Sequence, residues 1–160
     1  MFNIFKKRGF TVAAACDGKL MPITEVKDEV FSQKMLGDGY AIKPTNGKIY
    51  SPVAGTVTTV FPTKHAIGIT TDNNLEILVH LGIDTVELKG KPFEVAVKQG
   101  DTVKQDDYLA SMNTELITAE NYDDTVIVVY TNMDVIKSVS DVSAGDTAHG
   151  DTVQTLQFNA

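Results

Sequence analysis

Two histidines, His65 and His80, lie in two apolar, strand-like segments, residues 63–69 and 75–84, on either side of a cluster of turn-forming residues. If Asp72-Asn73 is the two-residue loop of a β-hairpin, His65 lies directly opposite His80. Directly opposed residues have Cβ atoms roughly 5 Å apart, so the two imidazoles would stand side by side on one face. A pair of adjacent imidazoles indicates either phosphoryl transfer or metal binding.

The order of residue types around His80 predicts which face of the hairpin carries these rings. Odd-numbered positions of the second segment are all apolar from residue 75 to residue 81 and are predicted to fill the core. The even-numbered positions, which include Leu78 and His80, then form the outer face. On the first segment, His65 is predicted to share its face with Thr63 and Ile67. Apolar residues beside an imidazole indicate an apolar patch around the site.

Phosphoryl transfer at a histidine needs a neutral ring with one nitrogen held as a donor and the other nitrogen free. The Gly82 carbonyl could accept a hydrogen bond from Nδ1 of His80 and leave Nε2 as the nucleophile. His65, oriented by Thr63, could then stabilise the charge on the phosphoryl oxygens. The sequence contains no G-x-x-x-x-G-K-[ST] motif, so the phosphoryl group is predicted to come from another protein and not from ATP.

Zinc catalysis is the alternative chemistry. His80 and Asp84 form an H-x-x-x-D pattern, and His65 would supply the third protein ligand that a catalytic zinc needs. Asp84 would require a bend in the strand to reach the same ion, and the chain has no H-x-H pattern. We therefore predict no required metal and no cofactor, although a neutral histidine pair binds zinc adventitiously or in a complex with a partner.

The elements that must position these residues are predicted to be β-strands, because short segments rich in Val, Ile and Thr recur between turn formers. The predicted strands are residues 41–43, 47–50, 55–60, 66–70, 75–81, 107–111, 125–130 and 152–158. Weak helical signals predict a turn or two within residues 112–121 and 132–140. Residues 97–103, VKQGDTV, match residues 142–148, VSAGDTA, and share the unit V-x-x-G-D-T. This unit predicts a tight turn capped by Asp. Repeated hairpin units imply a closed or folded-over sheet in an all-β protein.

The net charge and composition of the chain indicate which kinds of partner it binds and where it works. A net charge of −7 argues against nucleic acid and favours a partner with a basic patch. The single cysteine, Cys16, is predicted to be buried, and the absence of any disulfide fits a cytoplasmic protein. Residues 1–10, an apolar and basic tail, are predicted either to fray or to contact a membrane surface. Residues 11–160 are predicted to form a single domain, with His149 on its surface.

Residues 75–90, LEILVHLGIDTVELKG, resemble the phosphorylation-site signature of the glucose-type enzyme IIA components of the bacterial phosphoenolpyruvate:sugar phosphotransferase system. The resemblance continues at residues 37–44, 51–57, 61–66 and 131–134 and covers about residues 15–158. It implies a β-sandwich or distorted barrel built from two similar hairpin motifs, the duplicated hybrid motif. It also implies a phosphoryl carrier that works in sugar uptake.

The resemblance further implies roles for individual residues. His80 would accept a phosphoryl group from the phosphorylated carrier protein HPr and pass it to a cysteine of a IIB domain, with His65 and Thr63 as helpers. A partner-binding rim is implied at Asp28, Val30, Phe31, Met35, Leu36, Phe61, Leu78, Leu81, Asp84 and Asp134, with the three aspartates contacting arginines of HPr. Leu78 and Leu81 depart from relatives that carry phenylalanine, which affects the shape of this rim.

Two questions stay open at this point. Phosphorylation of His80 could instead switch regulatory binding partners, and the two roles can coexist. The start at Met1 favours a free-standing protein, but the chain could equally be a domain of a longer sugar permease.

Overall fold

A computed structural model describes residues 9–159 of the chain. The strands are β1 (Phe10–Ala13), β2 (Gly18–Pro22), β3 (Gly39–Pro44), β4 (Lys48–Tyr50), β5 (Gly55–Val60), β6 (Ala66–Thr70), β7 (Glu76–Ile83), β8 (Phe93–Val95), β9 (Thr102–Val103), β10 (Tyr108–Met112), β11 (Asp123–Tyr130), β12 (Ile136–Val139), β13 (Gly145–Thr147) and β14 (Thr152–Phe158). Two short helices, α1 (Glu29–Ser32) and α2 (Thr114–Ala119), and 3₁₀ turns at Ile23–Glu25, Thr85–Leu88 and Met133–Val135 complete the described elements. The all-β prediction is confirmed.

The strands pair in an antiparallel manner in three sheets. The largest sheet has the order β13-β2-β3-β11-β7-β6-β5-β9, and the two smaller sheets have the orders β1-β14-β12 and β4-β10-β8. In the large sheet, β7 lies between β6 and β11, and β11 is buried along almost its whole length. The strand that carries His80 is therefore hydrogen-bonded to a neighbouring strand on both edges.

Every predicted strand is present, with ends that differ by at most two residues. The predicted helical turn within residues 112–121 is α2, whose N-cap Asn113 accepts a hydrogen bond from the Leu116 amide at 3.0 Å. Within residues 132–140, only one 3₁₀ turn forms before the chain continues as β12. Sequence patterns missed α1 and the short strands β1, β2, β8, β9, β12 and β13.

The predicted hairpin register is wrong by one residue. The loop between β6 and β7 has three residues and not two, because Asn74 adopts a left-handed conformation with φ of 65° and the Thr71 amide bonds to the Leu75 carbonyl at 2.9 Å. His80 is consequently paired with Ala66, not with His65. The side chain of Asn132 fixes this loop from outside the hairpin, since it accepts from the Glu76 amide and donates to the Asn74 carbonyl.

The main core lies between the sheets, and a smaller apolar cluster covers the opposite face of the large sheet. Members of the smaller cluster come from the segment around α1 and from β3, β7 and β11: Ile23, Val26, Phe31, Ala41, Ile83, Ile127 and Val129. Because His80 pairs directly with Ile127, its side chain shares the face on which this cluster lies. The outer face of β7 is thus partly covered by the chain segment that leads into and includes α1.

The two V-x-x-G-D-T units are not equivalent. Gly100 has a φ of +98°, and the Asp101 carboxylate accepts from the Lys98 amide at 3.0 Å, as predicted for a capped turn. In the second unit Gly145 begins β13, and Asp146 forms an ion pair with Lys19 across the sheet at 3.4 Å. Within residues 9–159, no helix is long and apolar enough to cross a membrane.

Candidate functional site

His80 is held in a fixed orientation near the end of β7. Its Nδ1 lies 2.7 Å from the carbonyl oxygen of Gly82, the contact that the sequence predicts. The ring packs edge-on against Phe31, with 5.0 Å between the ring centroids. Because a carbonyl oxygen can only accept, Nδ1 carries the proton and Nε2 keeps its lone pair.

The carbonyl oxygen of Gly82 points towards His80 because the regular alternation of side chains along β7 ends at this glycine. Its φ of +84° lies in the region that favours glycine, and the β11 register shifts by one residue on the opposite side. As a result Leu81 points into the main core, whereas Ile83, two residues later, belongs to the smaller cluster. A regular strand would place both side chains on the same face.

His65 lies in a bend immediately before β6, outside the paired strands. Its Nδ1 lies 2.6 Å from Oγ1 of Thr63, which confirms the predicted contact, and its ring packs edge-on against Phe61 at 5.2 Å. The predicted sharing of a face with Ile67 is wrong, since Ile67 is buried in the main core. A hydroxyl that donates to Nδ1 leaves the imidazole proton on Nε2, where it can be donated to an anion.

The two rings meet although the predicted register is wrong. Their centroids are 5.1 Å apart, with an angle of 77° between the ring planes. Strict alternation in the observed register would send the side chain of His65 to the core face. Lys64, however, has a φ of 60°, and the bend that it forms with His65 turns the ring back towards His80.

Both imidazoles are neutral at pH 7. Burial lowers the pKa of His80 to about 4, with a smaller contribution from His65, against the opposing effects of the Gly82 carbonyl, Asp28 and Asp84. Burial also lowers the pKa of His65. A neutral ring with a free Nε2 is the form of histidine that acts as a nucleophile.

The implied partner-binding rim is only partly present. Val30, Met35 and Leu36, on or just after α1, are exposed to 42%, 68% and 42%. Phe61 and Leu78 are half-buried, and Phe31 is buried against His80. The assignment of Leu81 to the rim is wrong, because its side chain is fully buried in the main core.

The three implied acidic contacts occupy different places. Asp28 caps α1 by accepting from the Val30 amide at 2.8 Å, and Asp84 is exposed in a left-handed conformation just after β7. Both carboxylates act on the pKa of His80. Asp134 lies in the turn that follows β11, at the end of the sheet where Thr131 bonds to Glu76, about four residues of β7 away from His80.

The alternative zinc site is not formed, whereas His149 lies at the surface as predicted. Within residues 9–159 no group of three His, Cys, Asp or Glu side chains is arranged to hold a metal, so Asp84 does not complete a site with the two histidines. The side chain of His149 is 34% exposed, and its ring stacks on Tyr50 at 3.7 Å with Nδ1 2.7 Å from Asp106. Cys16 is buried as predicted, and burial raises the pKa of its thiol.

The protein is an antiparallel β-sandwich that carries a neutral, oriented histidine next to a second histidine, an arrangement that fits the class of phosphoryl-carrier proteins. Residues 10–136 match the family model of the phosphoenolpyruvate-dependent sugar phosphotransferase system, EIIA 1. The chain belongs to this family and is a phosphoryl-carrying component of the sugar phosphotransferase system. Family membership implies HPr and a IIB domain as partners.

Similar proteins support this assignment over nearly the whole chain. The glucose-specific EIIA component of Oceanobacillus iheyensis is 41% identical over 160 residues, which cover 97% of this chain and 96% of that protein. The glucose-specific EIICBA component of Streptococcus pneumoniae is 48% identical over 96% of this chain, but the chain spans only 21% of it. The solved structure of glucose permease IIA from Mycoplasma capricolum superimposes with a TM-score of 0.85 at 38% identity and covers 94% of this chain and 97% of its own. The predicted β-sandwich is confirmed.

Proposed function

We propose that Nε2 of His80 accepts the phosphoryl group from phosphorylated HPr. The observation that carries this proposal is the bond from Nδ1 of His80 to the Gly82 carbonyl in a ring whose pKa is lowered to about 4. The lone pair of Nε2 attacks phosphorus, the new N–P bond forms, and the bond between phosphorus and the atom of HPr that carries it breaks. The electron pair of the broken bond returns to that atom of HPr, while the proton on Nδ1 remains in its bond to Gly82.

We assign His65 a supporting role in the same transfer. Its ring lies 5.1 Å from that of His80, close enough for its Nε2 proton to reach an oxygen of a phosphoryl group on His80. A preorganised donor of this kind stabilises charge as it develops during transfer. Thr63 keeps the ring in this orientation.

The surface around His80 supports weak docking of a basic partner. Val30, Met35 and Leu36 supply exposed apolar area, and Asp28 and Asp84 place negative charge near the ring. A small apolar patch with a charged border suits a transient complex, in which charge speeds the encounter. Arginines of HPr would contact these two carboxylates, whereas Asp134 would act at the edge of the interface.

The second half of the cycle passes the phosphoryl group to a cysteine of a IIB domain. The names of the relatives from Oceanobacillus iheyensis and Streptococcus pneumoniae specify glucose, and we propose a glucose-type permease as the recipient. Residues 11–160 would act as one cytoplasmic domain. Of the predicted tail, residues 1–10, Phe10 belongs to β1 and pairs with Leu156, so the tail is shorter than predicted. Residues 1–8, which lie outside the described residues, would contribute a peripheral contact with the membrane.

A regulatory role is the second candidate. A phosphoryl group on His80 would add about two negative charges next to Asp28 and Asp84, which already influence this ring. Partners that dock on the unmodified surface would then be repelled. The two histidines could bind zinc adventitiously, or in a complex with a partner that supplies a further ligand.

One labelling experiment tests the carrier function. The protein is mixed with phosphoenolpyruvate, enzyme I and HPr, and an acid-labile, base-stable phosphate is expected on the wild-type chain. His80→Ala should abolish the label, and His65→Ala should accept it but fail to pass it to a IIB domain. Absence of label on the wild type would overturn the carrier function, and loss of label in His65→Ala would overturn the supporting role of His65.

A further inference from the structure

Gly82 needs a support that the strand ladder does not provide. The regular pairing between β6 and β7 ends at Ala66 and His80, so Leu81 and Gly82 lie beyond the last paired residue on that edge. On the other edge, Leu81 pairs with Val126 and Ile83 pairs with Asp123, and the register of β11 shifts between these pairs, opposite Gly82. The orientation of the Gly82 carbonyl therefore depends on contacts outside the regular sheet.

Thr85 makes two such contacts from the 3₁₀ turn that follows β7. Its Oγ1 donates a hydrogen bond of 2.5 Å to the carbonyl oxygen of Leu81, which belongs to the peptide that leads into Gly82. Its methyl carbon would lie only 2.5 Å from a Cβ atom placed on Gly82, so the methyl packs directly against the glycine. Thr85 is fully buried.

Leu81, whose carbonyl accepts the hydrogen bond from Thr85, links the backbones of the residues that form the site. Its amide donates to the carbonyl of His65 at 2.7 Å, and it lies between His80 and Gly82 in the chain. A change in the plane of the peptide between Leu81 and Gly82 would move the Gly82 carbonyl. The same change would disturb the backbone contact with His65.

We propose that Thr85 is the positioning residue that aims the Gly82 carbonyl at Nδ1 of His80. Its hydroxyl fixes the peptide before Gly82, and its methyl group limits how far the glycine can rotate. Thr85 thereby determines which nitrogen of His80 carries the proton. The inference rests on the proposed role of His80 as acceptor and adds the residue that makes this ring a competent nucleophile.

Thr85→Val and Thr85→Ser separate the two contacts. Thr85→Val keeps the shape but removes the hydroxyl, and Thr85→Ser keeps the hydroxyl but removes the methyl group. Two-bond ¹H–¹⁵N correlation spectra of the imidazoles report which nitrogen of His80 is protonated, and quenched-flow labelling by phosphorylated HPr reports the rate. For Thr85→Val we expect a mixture of the two tautomers and a rate reduced by about tenfold or more, as for other residues that orient a reacting group. Thr85→Ser should keep the wild-type tautomer.

Ser51→Ala is the matched control, because Ser51 is also fully buried and its hydroxyl donates to the Val53 carbonyl at 2.6 Å. Ser51 follows β4, which belongs to a different sheet from β7 and His80. This variant should lose stability but keep the tautomer and the labelling rate. If Thr85→Val does not fold, Thr85→Ser is compared with Thr85→Ala, a pair that differs only in the hydroxyl. A wild-type tautomer and rate in the variant that lacks the hydroxyl would overturn the proposal, as would an equal slowing in Ser51→Ala.

These outcomes are distinct from failure of the carrier function. That function fails when the wild-type protein takes no label at all. The role of Thr85 fails when the wild type is labelled on His80 and removal of the hydroxyl changes neither the tautomer nor the rate.

Discussion

The low pKa of His80 is predicted to depend on Phe31. Burial is the largest cause of the drop from 6.5 to about 4, and Phe31 covers one side of the ring at 5.0 Å. A drop of this size corresponds to about 3 kcal/mol against the charged form. Phe31→Ala admits water to this side of the imidazole, so we expect the pKa of His80 to rise to about 5 or above.

The assay is a pH titration of the His80 ring by ¹H–¹⁵N correlation spectra, combined with labelling by phosphorylated HPr at two pH values. At pH 5.5 a ring with a pKa of 4 is about 97% neutral. A ring with a pKa of 5 is about 76% neutral, and one with the ordinary pKa of 6.5 is only about a tenth neutral. Labelling of Phe31→Ala should therefore fall at pH 5.5 relative to the wild type. At pH 8, the neutral fraction of His80 should be the same in the wild type and in Phe31→Ala.

Phe31→Leu is the control for this prediction, because it keeps an apolar side chain over the ring and should keep the pKa near 4. HPr must be phosphorylated to the same extent in all reactions, so that only the acceptor varies. A wild-type pKa near 6.5, or a pKa in Phe31→Ala that stays near 4, would refute the argument that burial by Phe31 keeps His80 neutral.

Three other predictions concern the same residues. Gly82→Ala should lower the free energy of unfolding by about 1–3 kcal/mol, measured in urea, because alanine is strained at a φ of +84° and its Cβ would lie 2.9 Å from the Asp123 carbonyl oxygen; wild-type stability would contradict this. Wild-type protein should lose about 3 kcal/mol of unfolding free energy between pH 7 and pH 4 through His80, since the unfolded ring gains a proton below 6.5 whereas the folded ring stays neutral to about 4. His80→Asn should reduce the change in unfolding free energy between pH 7 and pH 4. An unchanged pH dependence in this variant would be evidence that His80 is not its source. Thr63→Val should retain labelling but slow transfer to a IIB domain, because His65 loses its hydroxyl partner; an undiminished transfer rate would show that Thr63 does not orient the ring.

Local patterns in the sequence were sufficient to predict the contact that each histidine makes with a residue two positions away in the chain. Gly82 is two residues after His80, and Thr63 is two residues before His65, so chain connectivity alone keeps each pair within reach. The alternation of residue types in β7 also predicted that Leu78 and His80 leave the core, because the period of a strand is two. That period stops being informative at Gly82, whose positive φ reverses the faces.

The register of the hairpin could not be obtained from its own residues. A two-residue and a three-residue loop are both compatible with the turn formers at residues 72–74, and the choice depends on Asn132, which bonds to this loop from 58 positions away in the chain. The error did not separate the histidines, because His65 lies in a bend and outside the ladder. Strand pairing thus determined the partner of His80, and the bend at Lys64 determined where the ring of His65 points.

The sequence by itself determined the all-β architecture, the family and the identity of the paired histidines, since these follow from local periodicity and from a long contiguous signature. Only the tertiary structure decided that His80 is neutral and covered, because the cover comes from Phe31, which no local pattern connects to the ring. It also showed that Leu81 lies in the core, as the strand period predicts, and not in the rim that the resemblance implies, and it identified the contacts between Thr85 and the Leu81-Gly82 segment. Burial and hydrogen bonding between distant segments are properties of the packed chain, and they hold His80 in the neutral form that the proposed phosphoryl transfer requires.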